Sequence, residues 1–258
     1  MMRPQDMGPH DMPCEAVAAS TAPGDWLDAW ERGRPMDWIG RGLALLELAG
    51  TGMSAERCAA LPIGERDRRL LRLRASMFGP NLVGLVECPE CAERLEFEAM
   101  VDDLVFERPA DCDALLTLQL DGLDVRLRLP DSRDLRAATV ARDAARALIE
   151  GCIVSARRGD AAIEAATLPD DVLVHAADRI AEADPQADVR LALSCAACGA
   201  HCRAPFDIVS FAWAELEVRS EHLLWETHVL AQAYGWSERD VLALGPARRE
   251  AYLRMVLA

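Results

Sequence analysis

Four of the nine cysteines form two pairs, and each pair has the spacing of a metal-binding turn. Cys88 and Cys91 enclose Pro-Glu, whereas Cys195 and Cys198 enclose Ala-Ala. Structural zinc is bound tetrahedrally by four thiolate or imidazole ligands, and two CxxC pairs are a common way to supply them. We therefore predict that the four cysteines bind one structural Zn²⁺ ion. Such a site has no open position for a substrate, so it indicates structure and not catalysis.

The segment between the two pairs is far longer than in a compact zinc ribbon. It holds roughly 100 residues, but the entropy of closing a loop grows slowly with length, so a folded insertion is compatible with one site. Two other interpretations stay open: cysteines that pack as small apolar residues without metal, or a redox pair, which usually lies at a helix N-terminus. His201 and Cys202 fall on the strand after the second turn. We treat both as bystanders, although either could replace a ligand.

The sequence contains no catalytic motif. There is no GxGxxG after a strand, no GxxxxGK[ST] loop and no GxSxG elbow. His222 and Glu226 are four residues apart on one helical face, but His228 lies off that face and HExxH is absent. A surface pair explains these residues better than a second metal site. We predict that the protein is not an enzyme.

Composition restricts the partners. The 28 Lys and Arg residues face 43 Asp and Glu residues, which gives a formal net charge of −15. Such a charge repels phosphate backbones and anionic lipid surfaces, so we expect neither nucleic-acid nor membrane binding. No apolar run reaches the roughly 20 residues of a membrane-spanning helix, and the first residues lack the basic cluster and apolar run of a signal peptide. We expect a cytoplasmic protein, in which cysteines favour metal over disulfides.

The changing periodicity of apolar residues predicts an α+β fold that is mainly α-helical. We expect a flexible leader at 1–25, N-terminal helices at 26–80, a split zinc-ribbon-like β region at 81–209 and C-terminal helices at 210–258. Inside the β region, a hairpin and at least two helices form a long α/β insertion at about 100–190. The two CxxC turns are then the tips of two hairpins that flank this insertion.

Local signals add detail to this organisation. In "LLTLQLDGLDVRLRLP" the Asp121–Gly122 dipeptide predicts a tight hairpin turn. The alanine-rich stretch from 131 to 158 predicts helix, broken by Gly159 and Asp160. The arginines of "ERDRRLLRLR" are most simply a solvated helix face.

The last fifty residues predict a helix of about six turns followed by two short ones. Ser237 with Asp240 forms an acidic capping box, and Gly245 stops that helix before Pro246 opens the last one.

Aromatic and basic residues near the C-terminus are candidates for partner binding. Tyr234 and Trp236 lie close to Arg248 and Arg249 in a chain that is otherwise short of positive charge. Core packing is the plainer interpretation of the aromatic residues, but tryptophan, tyrosine and arginine are also the residue types that dominate interfaces.

Three segments carry a resemblance to a known family: "LLRLRASMFGPNLVGLVECPECAERLEFE", "CAACGAHCRAPFDIVSFAWAELE" and "LAQAYGWSERDVLALGPARREAYLRMV". They resemble T-even-like contractile-phage baseplate proteins, also found in prophages and phage-tail-like contractile injection systems. The similarity runs from about residue 36 to the C-terminus, and "YGWSERDVLAL" with "RREAYL" is its most specific part. Ala92 stands where a glycine is common in ribbon knuckles.

The resemblance implies a role in building the baseplate hub, either as a structural piece or as an assembly chaperone. The implied partners are hub, spike or tube-initiator proteins. Assembly would take place in the cytoplasm, and the protein could then be incorporated into the particle. The alternative is a zinc-ribbon adaptor for nucleic acid, motivated by the cysteines and the arginine run, although the net charge opposes it. A metallohydrolase would require an open coordination position that the cysteine spacing does not predict.

Overall fold

The computed structural model describes residues 22–50, 52–106 and 115–258. Most of the predicted leader lies outside these residues, and the first helix begins at Pro23. The helices are α1 Pro23–Gly33, α2 Trp38–Leu48, α3 Ala55–Ala59, α4 Ile63–Phe78, α5 Val101–Leu104, α6 Ser132–Thr139, α7 Ala144–Cys152, α8 Asp170–Ala183, α9 Ile208–Tyr234, α10 Glu238–Leu242 and α11 Pro246–Leu257. The strands are β1 Asn81–Glu87, β2 Arg94–Met100, β3 Leu116–Leu120, β4 Leu123–Leu127, β5 Ile153–Arg158, β6 Ala161–Ile163, β7 Arg190–Ser194 and β8 His201–Pro205.

A helical body forms the largest core of the described chain. Helices α1, α2 and α4 pack around α9, a helix of 27 residues. Leu216, Leu223 and Leu230 of α9 are fully buried at intervals of two helical turns. This spacing produces the apolar stripe that the sequence predicted, and α9 extends beyond the expected six turns.

The arginines of α4 do not form a solvated face, which corrects the prediction for "ERDRRLLRLR". Arg68 is buried and donates to Glu65 at 2.5 Å, while the buried Arg74 forms a bidentate pair with Glu215 of α9 at 2.6 and 2.7 Å. The buried Arg66 pairs with Asp67 at 2.7 Å. Arginine tolerates these sites because carboxylates within the chain compensate its charge. A run of arginines in sequence does not reveal such partners.

Two antiparallel hairpins flank the insertion. Strands β1 and β2 pair from Asn81–Met100 to Glu87–Arg94, and β7 and β8 pair from Arg190–Pro205 to Ser194–His201. Strand β2 buries Leu95 and Phe97 while its alternate glutamates face solvent. This period-two alternation confirms the predicted strand, turn, strand pattern around both CxxC pairs.

The insertion has a core of its own. Strands β3 to β6 form one antiparallel sheet in chain order, and α8 packs on it through Val172, Ala176 and Ile180. The predicted hairpin turn is confirmed, since Asp121 and Gly122 both adopt positive φ, at 48° and 75°.

The helical prediction for 131–158 is wrong after Cys152. Residues 132–139 and 144–152 are helical, but Ile153–Arg158 is a strand that turns at Gly159 and Asp160 into β6. The β-branched Ile153 and Val154 favour strand once the chain can pair with β4.

Polar contacts join the insertion to the helical body. The backbone N–H of Gly64 donates to Asp184 Oδ2 at 2.9 Å, and that of Ile63 donates to the carbonyl of Pro130 at 3.0 Å. A Cβ at Gly64 would overlap the Asp184 carboxylate, so glycine is required there. The buried Gln186 accepts from the Phe106 N–H and donates to the Leu104 carbonyl. The C-terminal end of the insertion, at Asp184 and Gln186, is therefore fixed against α4 and α5.

The C-terminal elements follow the predicted signals. Gly235 ends α9 in the left-handed conformation, with φ 69°. Ser237 and Asp240 form the capping box of α10, and Gly245 precedes Pro246 at the start of α11. The fold is thus a mixture of helices and antiparallel strands, as predicted. Among the described residues, no helix is both long and apolar enough to cross a membrane.

Candidate metal centre

The two hairpin tips bring the four predicted cysteines together. Their sulfur atoms all lie within 4.8 Å of one another. Across the two tips, the sulfur of Cys88 lies 3.8 Å from that of Cys198, and the sulfur of Cys91 lies 3.6 Å from that of Cys195. Within the ranges that the structure describes, this is the only group of three or more such side chains placed to hold a metal ion.

The two tips, residues 88–93 and 195–200, share one backbone geometry and are called knuckles below. The first Cys N–H donates to the carbonyl five residues on, in Cys88 to Glu93 and in Cys195 to Ala200, both at 2.8 Å. The N–H four residues on returns a bond to the cysteine carbonyl, at 2.9 Å in each knuckle. This tight turn directs both cysteines of a knuckle towards the same point.

The fifth position of each knuckle has left-handed backbone, but the residues there differ. Gly199 has φ 74° and Ala92 has φ 57°. An L-residue with a Cβ pays roughly 1–2 kcal/mol for this conformation, whereas glycine adopts it freely. The first knuckle therefore carries strain that the second does not.

Backbone donors and neighbouring sulfurs set the protonation of the cluster. The N–H groups of Cys198 and Ala197 donate to the sulfur of Cys195 and lower the pKa of its thiol to about 7. The Glu93 N–H acts in the same direction on Cys91, but the sulfur of Cys198, desolvation and the sulfurs of Cys195 and Cys88 raise the pKa of Cys91 to about 12. One thiolate in the cluster thus disfavours a second. A divalent cation provides the charge that lets all four ionise together.

The sulfur geometry fits a tetrahedral thiolate site. A metal–sulfur distance of about 2.3 Å in a regular tetrahedron separates the sulfurs by roughly 3.8 Å. Two cross-knuckle distances, 3.8 and 3.6 Å, match this separation, and all four sulfurs lie within 4.8 Å of one another. Cys88 and Cys195 are buried against Leu95, whereas Cys91 and Cys198 are exposed. The cluster therefore combines a packed side with a side through which an ion can enter.

The two predicted bystanders lie outside the cluster. Cys202 packs half-buried against Cys88 and Cys195 but is not among the grouped ligands. His201 is exposed, with Nδ1 at 2.8 Å from Ser194 Oγ.

The residues considered for a second metal site form an ion-pair chain instead. His222 Nε2 lies 3.0 Å from Glu226 Oε1, and Arg249 Nε donates to Glu226 Oε2 at 2.8 Å. Arg249 is only 2% exposed, and it also donates to the carbonyl of Leu244. This position corrects the prediction that Arg249 contacts a partner, because its guanidinium joins α11 to α9 inside the chain.

The other partner-binding candidates lie at the surface. Tyr234 is exposed and stacks on Trp236 at 4.7 Å between ring centroids. Tyr252 meets Trp236 edge to face at 4.9 Å, and the exposed Met255 follows on the same helix. Sequence reasoning missed both. The available signal is their spacing, because Tyr252 and Met255 lie four and seven residues after Arg248 and therefore on the same face of a helix.

The geometry defines a mixed helical and antiparallel protein with a four-cysteine cluster at the base of a folded insertion. Compared with known families, the chain matches the T4 bacteriophage base plate protein family over residues 48–213. This match covers more than half of the chain, which therefore belongs to that family. No curated protein and no solved structure showed significant similarity to it.

The family match covers both knuckles and the insertion and ends within α9. The predicted resemblance to baseplate proteins is confirmed at the level of the family. The segment "YGWSERDVLAL", which carried the most specific part of that resemblance, lies beyond the matched residues. The aromatic residues of the C-terminus are thus outside the match as well.

Proposed function

We propose that this protein is a non-enzymatic structural or assembly component of the baseplate hub of a contractile phage tail or a phage-tail-like injection system. The observation that carries the proposal is the family match over residues 48–213, which spans the cysteine cluster and the insertion. Baseplate proteins act by binding other subunits. A cluster of four cysteines without an open ligand position agrees with a structural role.

Zinc is the metal that suits this site best. Four thiolates in a tetrahedral arrangement favour zinc among the divalent ions common in cells, and Cys88, Cys91, Cys195 and Cys198 would all be ligands. When bound, the ion supplies a cross-link between the two knuckles. Because the knuckles flank the insertion, this link fixes both of its ends.

The proposed partners are hub, spike or tube-initiator proteins. Assembly in the cytoplasm suits a protein with a charge of −15, since that charge limits self-association before the partners arrive. The protein then either leaves as a chaperone or stays in the particle.

The alternative, a zinc-ribbon adaptor for nucleic acid, loses one of its two supports. It rests on the four cysteines and on the arginine run of α4, but Arg66, Arg68 and Arg74 of that run are buried and paired with carboxylates. Side chains in such pairs do not offer their charge to phosphates.

Co-expression tests the proposal. The full chain would be produced with the hub, spike and tube-initiator subunits of the same phage tail or injection system, and complexes would be counted by native mass spectrometry. We expect a defined complex with at least one of these subunits. A wild-type protein that is folded and loaded with metal, yet binds none of them, would contradict the proposal.

A further inference from the structure

The C-terminal helices present an aromatic patch, defined here as Tyr234, Trp236, Tyr252, Met255 and Arg248. The three rings contact one another, with centroid distances of 4.7, 4.9 and 5.7 Å. Tyr234 is 40% exposed and Met255 is 70% exposed. Beneath the rings lies a small core of Leu230, Val241 and Leu253. The patch is the solvent side of that core.

Three helices hold the patch in place. Tyr234 is the last residue of α9, Gly235 caps that helix, and Trp236 precedes the capping box of α10. Tyr252 belongs to α11, which the buried Arg249–Glu226 pair joins to α9. A rigid aromatic surface loses little conformational entropy when a partner binds.

A positive charge lies beside the aromatic rings in a strongly acidic protein. Arg248 is exposed and, within the described part of the chain, makes no ion pair, whereas its neighbour Arg249 is neutralised by Glu226. Arg248, Tyr252 and Met255 follow at helical spacings of four and three, so they share one face of α11. The arginine thus stands beside the rings.

The tyrosine hydroxyls add polar capacity. Among the described residues, neither Tyr234 nor Tyr252 has a hydrogen bond from its hydroxyl to another protein group. A phenol donates one hydrogen bond, and a carboxylate accepts several. The patch therefore offers two hydroxyl donors, one uncompensated guanidinium and an apolar ring surface.

We propose that the aromatic patch binds an acidic segment of another baseplate subunit, with a carboxylate at Arg248 and an apolar side chain on the rings of Trp236 and Tyr252. This inference rests on the proposed baseplate function. Tryptophan, tyrosine and arginine are the residue types that contribute most to binding at interfaces. A nucleic acid is disfavoured because its backbone carries a negative charge at every phosphate, so the net charge of −15 repels it more strongly than a short segment with few carboxylates.

A peptide array provides the test. Short overlapping peptides covering the neighbouring baseplate subunits would be probed with the labelled full-length protein at low and high salt. We expect binding to peptides that combine Asp or Glu with an apolar residue, and weaker binding at high salt. In Arg248→Glu and in Met255→Asp the affinity should fall about tenfold, because each adds a repelling carboxylate. Both positions are exposed, so the variants should fold.

Arg254→Glu is the matched control, because Arg254 is also exposed and forms no ion pair with the residues that the structure describes, but lies off the face of Tyr252. It should change affinity by less than about twofold. Three outcomes would overturn the proposal: no bound peptide, equal effects of the two charge reversals, or tighter binding of single-stranded DNA than of peptide through Arg248.

Co-expression with the same subunits separates this proposal from the function on which it rests. Complexes that form equally well with wild-type protein and Arg248→Glu would overturn the patch and leave the baseplate role standing. If the wild-type protein forms no complex, the baseplate role itself fails, and the patch proposal fails with it.

Discussion

The two knuckles reach the same geometry from different sequences. Each has the same pair of backbone hydrogen bonds and contributes two sulfurs to one cluster. The first knuckle places Ala92 in left-handed backbone where the second has Gly199. Their supports differ as well, since the first hairpin is bound to the helical body through Arg74. The backbone geometry is therefore shared because four ligands must converge on one point. The backbone strain and the contacts with the rest of the chain differ between the two hairpins.

Arg74 of α4 makes four hydrogen bonds, and one of them, to the carbonyl of Asn81, reaches the first hairpin. Its guanidinium donates to the carbonyls of Gly79 and Asn81, at 2.7 and 2.5 Å, and holds Glu215 bidentately. In the second hairpin Arg190, the first residue of β7, forms one half-exposed pair with Asp188 at 2.9 Å. A buried arginine of α4 thus contacts the start of β1, whereas a surface arginine stands at the start of β7.

Metal removal should have the largest effect, because it separates the knuckles. In the chain-entropy model, a link that closes a loop of about 100 residues contributes roughly 4–5 kcal/mol. We expect a strong chelator to lower the free energy of unfolding by about that amount, measured by urea denaturation. Added zinc should restore stability. An unchanged denaturation midpoint in the apoprotein would mean that the cluster does not act as a clamp.

The next effect distinguishes the two hairpin supports. Arg74→Ala leaves two carbonyls and a carboxylate without their donor, and should cost about 3 kcal/mol of unfolding free energy. Arg190→Ala should cost less than about 0.5 kcal/mol, because it removes a surface pair. Thermal or urea denaturation of the two variants measures the difference. Equal losses would show that the hairpins are supported alike.

The smallest effect concerns the strain in the first knuckle. Ala92→Gly should stabilise the protein by about 1 kcal/mol, and Gly199→Ala should destabilise it by about the same amount. A Cβ at Gly199 meets no atom within 4 Å, so the backbone conformation alone decides the result. Both variants should keep their metal. If the two substitutions shift stability in the same direction, strain does not explain the difference between the knuckles.

The cluster could be predicted from sequence because each half is local. A CxxC turn, its flanking alternation and the Asp121–Gly122 hairpin are encoded within about ten residues each. The capping box at Ser237 and Asp240 is equally local, and the structure has it as predicted.

Features that depend on distant partners could not be predicted. Arg74 finds Glu215 at a separation of 141 positions, and Arg249 finds Glu226 on another helix, so both appear in sequence as surface charges. The alanines before residue 153 predict that helix continues through residues 153–158, whereas pairing with β4 decides the outcome. The arginine pairs and the strand thus depend on tertiary contacts, which the local sequence does not show.

The central claim is that the four cysteines bind one zinc ion that joins the two knuckles. Native mass spectrometry of the full chain, purified without chelator, tests it directly. We predict one zinc per chain in the wild type and in the Cys202→Ser control, and none in a Cys88→Ser, Cys195→Ser double variant. A wild-type chain without metal, or a double variant that retains zinc, would contradict the claim.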